Sequence, residues 1–168
     1  LKFNRVDSSK ISLLLSIPAS LGLILASKEI VAALFGYGSF TIEDVDMTAS
    51  ALKYFGYGIP AFALIKILSN FFFARNNTQT PFYISCFVVL LNISISVYFF
   101  DKFGFIIIPI ATSVSTWIGV MCYIYALNSK NFLLLKGYLL KNVLKIIINT
   151  VLMSFLLFLL LSNYSIYL

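Results

Sequence analysis

The stretch FFFARNNTQTPFYIS, residues 71–85, breaks two runs of hydrocarbon side chains with an arginine, three amides and two threonines before the chain resumes on apolar residues. Such a short polar interruption reads as the turn of a helical hairpin that crosses a bilayer. Backbone N–H and C=O groups cannot be left unpaired in lipid, so helix ends fall where side chains and water can satisfy them. Arg75 then sits at headgroup depth, while Asn76, Asn77 and Thr78 supply hydrogen bonds to the last carbonyls and the turn. Thr80-Pro81 is expected to open the next helix, with Thr80 as N-cap and Pro81 as first helical residue.

Composition supports the membrane reading. The 168 residues are 61% hydrophobic and 11% charged, where a soluble domain is about 45–50% apolar and about 25% charged. The apolar runs are continuous rather than alternating, which argues against a β-barrel. The net charge of +6 would suggest nucleic acid in a soluble protein. Here the basic residues stand at the ends of apolar runs, so topology accounts for them and no nucleic-acid partner is expected. Cys86 and Cys122 lie within apolar runs, with no histidine and no CxxC spacing, and read as small core residues rather than metal or redox ligands. No charged n-region and cleavage site precede the first apolar run, so no signal peptide is expected, and the chain reads as a fragment.

A crossing helix needs about 20 mainly apolar residues, about 17 at minimum, and five segments meet or approach this: about residues 11–26, 50–74, 81–100, 105–127 and 139–161. The first carries Pro18, tolerated in lipid where neighbours satisfy the freed carbonyl. Ser27-Lys28-Glu29 follows it, then a short helix at about residues 29–35 and the turn GYGSF. Thr41 is expected to cap the second long helix, with Asp44 completing a capping box and acids opposing the positive end of the helix dipole. That helix should run to about Ala74, with its first turns outside the membrane and Gly56, Gly58 and Pro60 interrupting the span.

If each span crosses once, Lys2, Arg5, Lys10, Arg75, Lys130, Lys136, Lys141 and Lys145 share one side. Lys28, Lys53 and Lys102 fall on the other, with Glu29, Glu43, Asp44, Asp46 and Asp101. The excess of Lys and Arg makes the first side cytoplasmic.

The turn FFFARNNTQTP resembles the F-Y-A-R-x-D-T-x-T-P turn of the MurJ/MviN family, bacterial flippases for lipid II, the undecaprenyl-linked peptidoglycan precursor. IPASLGLILASKEIVAALFGYGSFT and ALKYFGYGIPAFALIKILSNFFFAR, upstream of it, are similar to two further family segments in the same order. The resemblance is dense over residues 17–92 and looser beyond. It implies the multidrug/oligosaccharidyl-lipid/polysaccharide exporter fold, fourteen helices in two lobes around a cavity with alternating access, in the bacterial inner membrane. This chain would supply helices nine to thirteen, most of the C-terminal lobe. The implied partners are lipid II or a similar polyprenyl-diphosphate glycan, the phospholipid bilayer and the N-terminal lobe of the same protein. No bond is made or broken in such transport, so neither enzyme activity nor a cofactor is implied, and the drive would be a coupled monovalent cation or the membrane potential. The chain departs from the pattern at Asn77, where the family often has Asp, and at Gln79, where it often has Arg. The family's cavity arginines lie upstream of Leu1.

Lys66 is the one charge deep inside a span, about 13 Å of helix rise from Arg75. With Asn70 one turn on, it is a candidate for the substrate cavity, where it would meet an anionic diphosphate. The other reading is a lysine whose stem snorkels to the interface. Asn92 and Ser96 share a helix face that Thr112 on the next span can meet. These three are candidates either for a cation site or for interhelical hydrogen bonding; relatives with a carboxylate in place of Ser96 fit a cation better. Gly56, Gly58 and Pro60 are candidates for a hinge or for a static packing kink. Tyr54 and Tyr57 read as interfacial aromatic anchors, and LLLKGYLLKNVLK, residues 133–145, as a segment along the cytoplasmic leaflet.

Two competing functions are a membrane-embedded enzyme and an exporter of other polyprenyl-linked glycans or drugs. The enzyme would need clustered acids, histidine or a nucleophile; histidine is absent, and Glu43, Asp44 and Asp46 belong to a helix start.

Overall fold

The computed structural model describes residues 15–129 and residue 153. The expected span at about residues 139–161 and the basic segment 133–145 lie outside the described residues. The helices are α1 (Leu15–Leu25), α2 (Ser27–Phe35), α3 (Ile42–Phe73), α4 (Gln79–Phe103) and α5 (Ile107–Ser129), with a 3-10 turn at Gly104–Ile106 between the last two. No strand occurs among the described residues.

The helical run Gln79–Ser129 is 51 residues long, about 75 Å if it were straight. Two hydrogen bonds show that it folds back on itself. Asn92 Nδ2 donates to Thr112 Oγ1 at 3.2 Å, and the Tyr123 hydroxyl to the Pro81 carbonyl at 3.4 Å. The reversal falls at Gly104, whose φ of +59° and ψ of −146° suit glycine alone. α4 and α5 are therefore antiparallel, each long enough to cross a bilayer. Contacts between α3 and α5 ascend together, from Ser113 on Tyr54 and Trp117 on Tyr57 to the rings of Phe72 and Tyr123 at 5.9 Å, so these two helices are parallel. α5 lies between α3 and α4, which scarcely touch although they are consecutive. This places the Arg75 turn at the same end of the bundle as Ser129, with Thr41 and Gly104 at the other.

Small residues let α5 take the central position. Ala111, Ser115 and Gly119 recur every fourth residue and are buried, the spacing that lets helix backbones approach closely in lipid. The hydroxyls of Ser115 and Thr116 donate back to the Thr112 carbonyl, so neither needs a partner across the interface. A Cβ on Gly119 would lie 2.7 Å from Val88 Cγ2 and 3.1 Å from Ile65 Cδ1. Gly58 is closed off by Ser113 Oγ at 2.8 Å, and Gly56 by Ile24 of α1 at 2.7 Å.

The chain bends by 73° between α1 and α2. α2 starts at Ser27 rather than near residue 29, so Lys28 and Glu29 belong to its first turn. It packs Val31 against Val45 and Ala49 at the start of α3, and Lys28 Nζ pairs with Asp46 Oδ1 at 2.6 Å. Both charges are at least half exposed, so the pair orients α2 more than it stabilises it.

The cap of α3 is the expected box. Thr41 Oγ1 accepts from the Asp44 N–H at 3.2 Å, and Asp44 Oδ2 accepts from the Thr41 N–H at 2.9 Å. Hydrogen bonds from the Thr41 side chain and backbone hold the Asp44 carboxyl below its usual range. A depressed carboxylate contributes stability above its unfolded pKa and loses it as pH falls through the folded one. The cap is therefore intact at neutral pH.

The Arg75 turn differs from expectation. The Asn77 N–H donates to the Phe72 carbonyl at 3.1 Å and the Asn76 N–H to the Phe73 carbonyl at 3.0 Å. Asn76 has a φ of +55°. This is a Schellman ending with asparagine in the left-handed position. Asn77 Oδ1 then accepts from the Thr80 N–H at 3.2 Å and from the Thr80 hydroxyl at 3.1 Å. Thr80 is thus the residue being capped, not the cap, and α4 begins at Gln79. Pro81 is the third helical residue rather than the first, still at a position whose N–H would have no intrahelical partner. The two asparagines divide the work: Asn76 ends one helix through its backbone and Asn77 starts the next through its side chain. Asn76→Val is expected to destabilise the full-length protein by about 1–2 kcal/mol, because a β-branched residue lacks the tolerance of the left-handed region that asparagine has. Asn76→Gly should match or exceed the natural chain, as read from thermal unfolding in detergent.

The core reading of the cysteines needs correction. Cys86 is exposed on α4, and Cys122 is half-buried beside a groove of about 520 Å³ between α4 and α5. An apolar neighbourhood in sequence does not mark the interior when the solvent is itself apolar.

Candidate functional site

Three groups of expected residues can be followed into the bundle. Lys66 and Asn70 are both exposed and, four residues apart, share a face of α3 with Phe62 and Phe73. Ile65, Leu68 and Phe72, by contrast, pack with Tyr123 and Leu127 of α5. Among the described residues no carboxylate pairs with Lys66. A cation on a helix embedded in hydrocarbon needs a partner, a wet cavity or a route to the interface. The nearer interface is the Arg75 end, but side chains lean toward their helix N-terminus, and that of α3 is at the opposite end. Snorkelling to the nearer interface would run against that direction, and both the cavity reading and the snorkelling reading stay open.

Asn92, Ser96 and Thr112 do come together. The Ser96 hydroxyl donates to Asn92 Oδ1 at 3.3 Å, Asn92 Nδ2 to Thr112 Oγ1 at 3.2 Å, and the Thr112 hydroxyl to the Ile108 carbonyl at 2.8 Å. This chain has a direction, because Thr112 spends its proton on its own helix and so presents a lone pair to the amide. The amide turns an N–H, not an oxygen, toward Thr112, and no group of three or more acids, histidines or cysteines lies anywhere among the described residues. A hard cation wants converging oxygens. As arranged, the trio does not fit one and serves as a hydrogen-bonded link between α4 and α5.

Pro60 lies inside a continuous α3. It has no N–H to give the Gly56 carbonyl one turn earlier. Around this weak point α5 supplies two hydrogen bonds: the Ser113 hydroxyl to the Tyr54 carbonyl at 2.7 Å and Trp117 Nε1 to the Tyr57 carbonyl at 3.0 Å. Bending at Gly56–Pro60 must therefore carry α5 along or break both bonds. The side chains of Tyr54 and Tyr57 remain exposed. Ser113 and Trp117 do not stand out in the sequence, although the Ala111-x-x-x-Ser115-x-x-x-Gly119 spacing marks their helix as a packing helix.

Long apolar helices alternating in direction, tied through small residues and backbone carbonyls, define a polytopic helical membrane protein. The chain belongs to the lipid II flippase MurJ family, whose model matches residues 4–168. It is 36% identical over 121 residues to the probable lipid II flippase MurJ of Rickettsia prowazekii, covering 71% of this chain and 24% of that protein. It is 31% identical over 153 residues to the lipid II flippase MurJ of Thermosipho africanus, covering 91% of this chain and 30% of the relative. Among solved structures it resembles a lipid II flippase MurJ in an inward closed conformation, with a TM-score of 0.72, 26% identity and coverage of 97% of this chain and 38% of the other. The chain thus spans less than a third of the length of these two curated relatives.

Proposed function

We propose that this chain forms part of the C-terminal lobe of a lipid II flippase and, with the N-terminal lobe of the same protein, carries undecaprenyl-diphosphate-linked glycan from the cytoplasmic to the periplasmic leaflet of the bacterial inner membrane. The observation that carries the reading is Lys66 with Asn70 on an uncovered face of α3, in a chain of this family. Lys66 supplies charge to the diphosphate and Asn70 hydrogen bonds to the headgroup. Transport follows from alternating access: substrate binds the inward and outward states unequally and shifts their populations. No covalent step is needed, and the protein is not an enzyme. The drive is a coupled monovalent cation or the membrane potential; no step is assigned to a cation at Asn92, Ser96 and Thr112. The Arg75 turn is placed on the cytoplasmic side, a reading that the distribution of Lys and Arg along the sequence supports.

Depleting the protein in growing cells tests this reading. Lipid II should accumulate facing the cytoplasm while its synthesis continues. Loss of lipid II itself, or its normal appearance on the outer face, would overturn the assignment.

A further inference from the structure

α3 has 32 residues, about 48 Å of rise, against a hydrocarbon core of about 30 Å. Measured back from Phe73, the core ends near Lys53 and Tyr54, so the first three turns of α3 stand outside it. α2 packs on those turns, through Val31 on Val45 and Ala49, and is pinned there by Lys28 and Asp46. It leaves α1 at 73°. If α1 runs across the bilayer, that bend turns α2 toward the membrane plane, at the depth of the outer turns of α3.

Its far end is apolar and uncovered. Leu34, Phe35 and Tyr37 are 61%, 55% and 67% exposed, and Ile42 at the entry to α3 is 79% exposed. The Tyr37 hydroxyl donates to the Ala33 carbonyl, folding the turn back on α2, and the Phe35 and Phe40 rings are 6.2 Å apart. Exposed Met47 and Tyr54, two turns apart on one face of α3, continue the apolar surface down to the span. The nearby charges are Lys28 and Glu29 at the other end of α2, Glu43 and Asp44 in the first turn of α3, Asp46, which pairs with Lys28, and Lys53 where α3 enters the span. Apolar and aromatic residues on an in-plane helix, with charge at its other end, match the boundary between headgroups and acyl chains.

We propose that α2 and the turn after it form an interfacial anchor, inserting Leu34, Phe35 and Tyr37 into the phospholipid leaflet opposite the Arg75 turn. The anchor fixes the depth of α3 and hence the level of Lys66. It goes beyond the flippase reading and requires only that α1 and α3 run across the bilayer.

The test uses the full-length protein, with its native cysteines replaced by serine, reconstituted in phosphatidylcholine–phosphatidylglycerol vesicles. Spin labels are placed at Tyr37→Cys, Leu34→Cys and Glu43→Cys, and relaxation by lipid-dissolved oxygen is compared with relaxation by a water-soluble nickel chelate. Labels at 34 and 37 should favour oxygen, and the label at 43 should favour nickel. Nickel-dominated relaxation at both 34 and 37 would overturn the anchor and place the turn in water. Shielding from both reagents would also overturn it, pointing to a protein partner such as the N-terminal lobe. The readout does not depend on transport or on orientation, which impermeant-maleimide labelling of Gln79→Cys reports separately.

Discussion

Lys66→Ala in the full-length protein is expected to cut lipid II translocation roughly ten- to hundredfold, while Lys66→Arg retains most of it. A hydrogen bond to a charged group is worth about 1.5–3 kcal/mol, and each 1.4 kcal/mol is about tenfold in binding. That magnitude applies because Lys66 stands on an exposed face of α3 with no carboxylate partner among the described residues. Among the described residues nothing pairs with its charge, so membrane insertion and thermal unfolding should be unchanged or slightly improved in the alanine variant. Translocation of fluorescent lipid II in proteoliposomes, with protein amount and orientation matched, measures the effect. Wild-type rates in Lys66→Ala would remove this residue from the substrate path and leave snorkelling as its explanation. A loss shared equally by alanine and arginine would point to packing rather than charge.

Gly119→Leu is expected to lower stability by about 3 kcal/mol, the upper end of the usual range for overpacking. Gly119 sits where three helices converge, and even a Cβ there would press on Val88 of α4 and Ile65 of α3. A leucine must push α5 away from both neighbours, straining the Asn92–Thr112 bond on one side and the Ser113–Tyr54 bond on the other. Gly22→Leu is the matched control, because no neighbouring group lies within 4 Å of the point where a Cβ would stand. It should be neutral or mildly stabilising, since leucine exceeds glycine in helix propensity by about 0.8 kcal/mol. Unfolding of the two variants in detergent, followed by circular dichroism, should separate them clearly. Equal stability would mean that α5 does not hold the central position.

The sequence was most legible where the backbone has to be satisfied. Thr41 and Asp44 announced the start of α3 because a capping box is local, set by residues three apart. The Arg75 turn was legible for the same reason, but not the position of its cap. Thr80-Pro81 has the composition of a helix start, yet the N-cap position falls to Thr78, and Asn77 before it supplies the oxygen that accepts from Thr80. Helical spacing groups Asn92, Ser96 and Thr112 correctly, while leaving their chemistry open. The direction of the hydrogen bonds, fixed by where the Thr112 proton goes, favours a link over a cation cage. Cys86 shows the opposite case, an apolar context that suggests a core and belongs to the outer surface.

By itself the sequence determined that the chain is a set of apolar helices suited to crossing a membrane and where the connections between the described ones fall. Those features follow from a chain-local rule: every backbone polar group must be paired within lipid, and charged side chains stay near its edges. Only the tertiary structure decided that α5 lies between α3 and α4, that Gly56 and Gly58 face different neighbours, and that Lys66 stands on an uncovered face. In water an apolar stripe would have marked the buried side of each helix. In a bilayer both sides are apolar, so neighbours are chosen by close fit and hydrogen bonding between residues far apart in the chain.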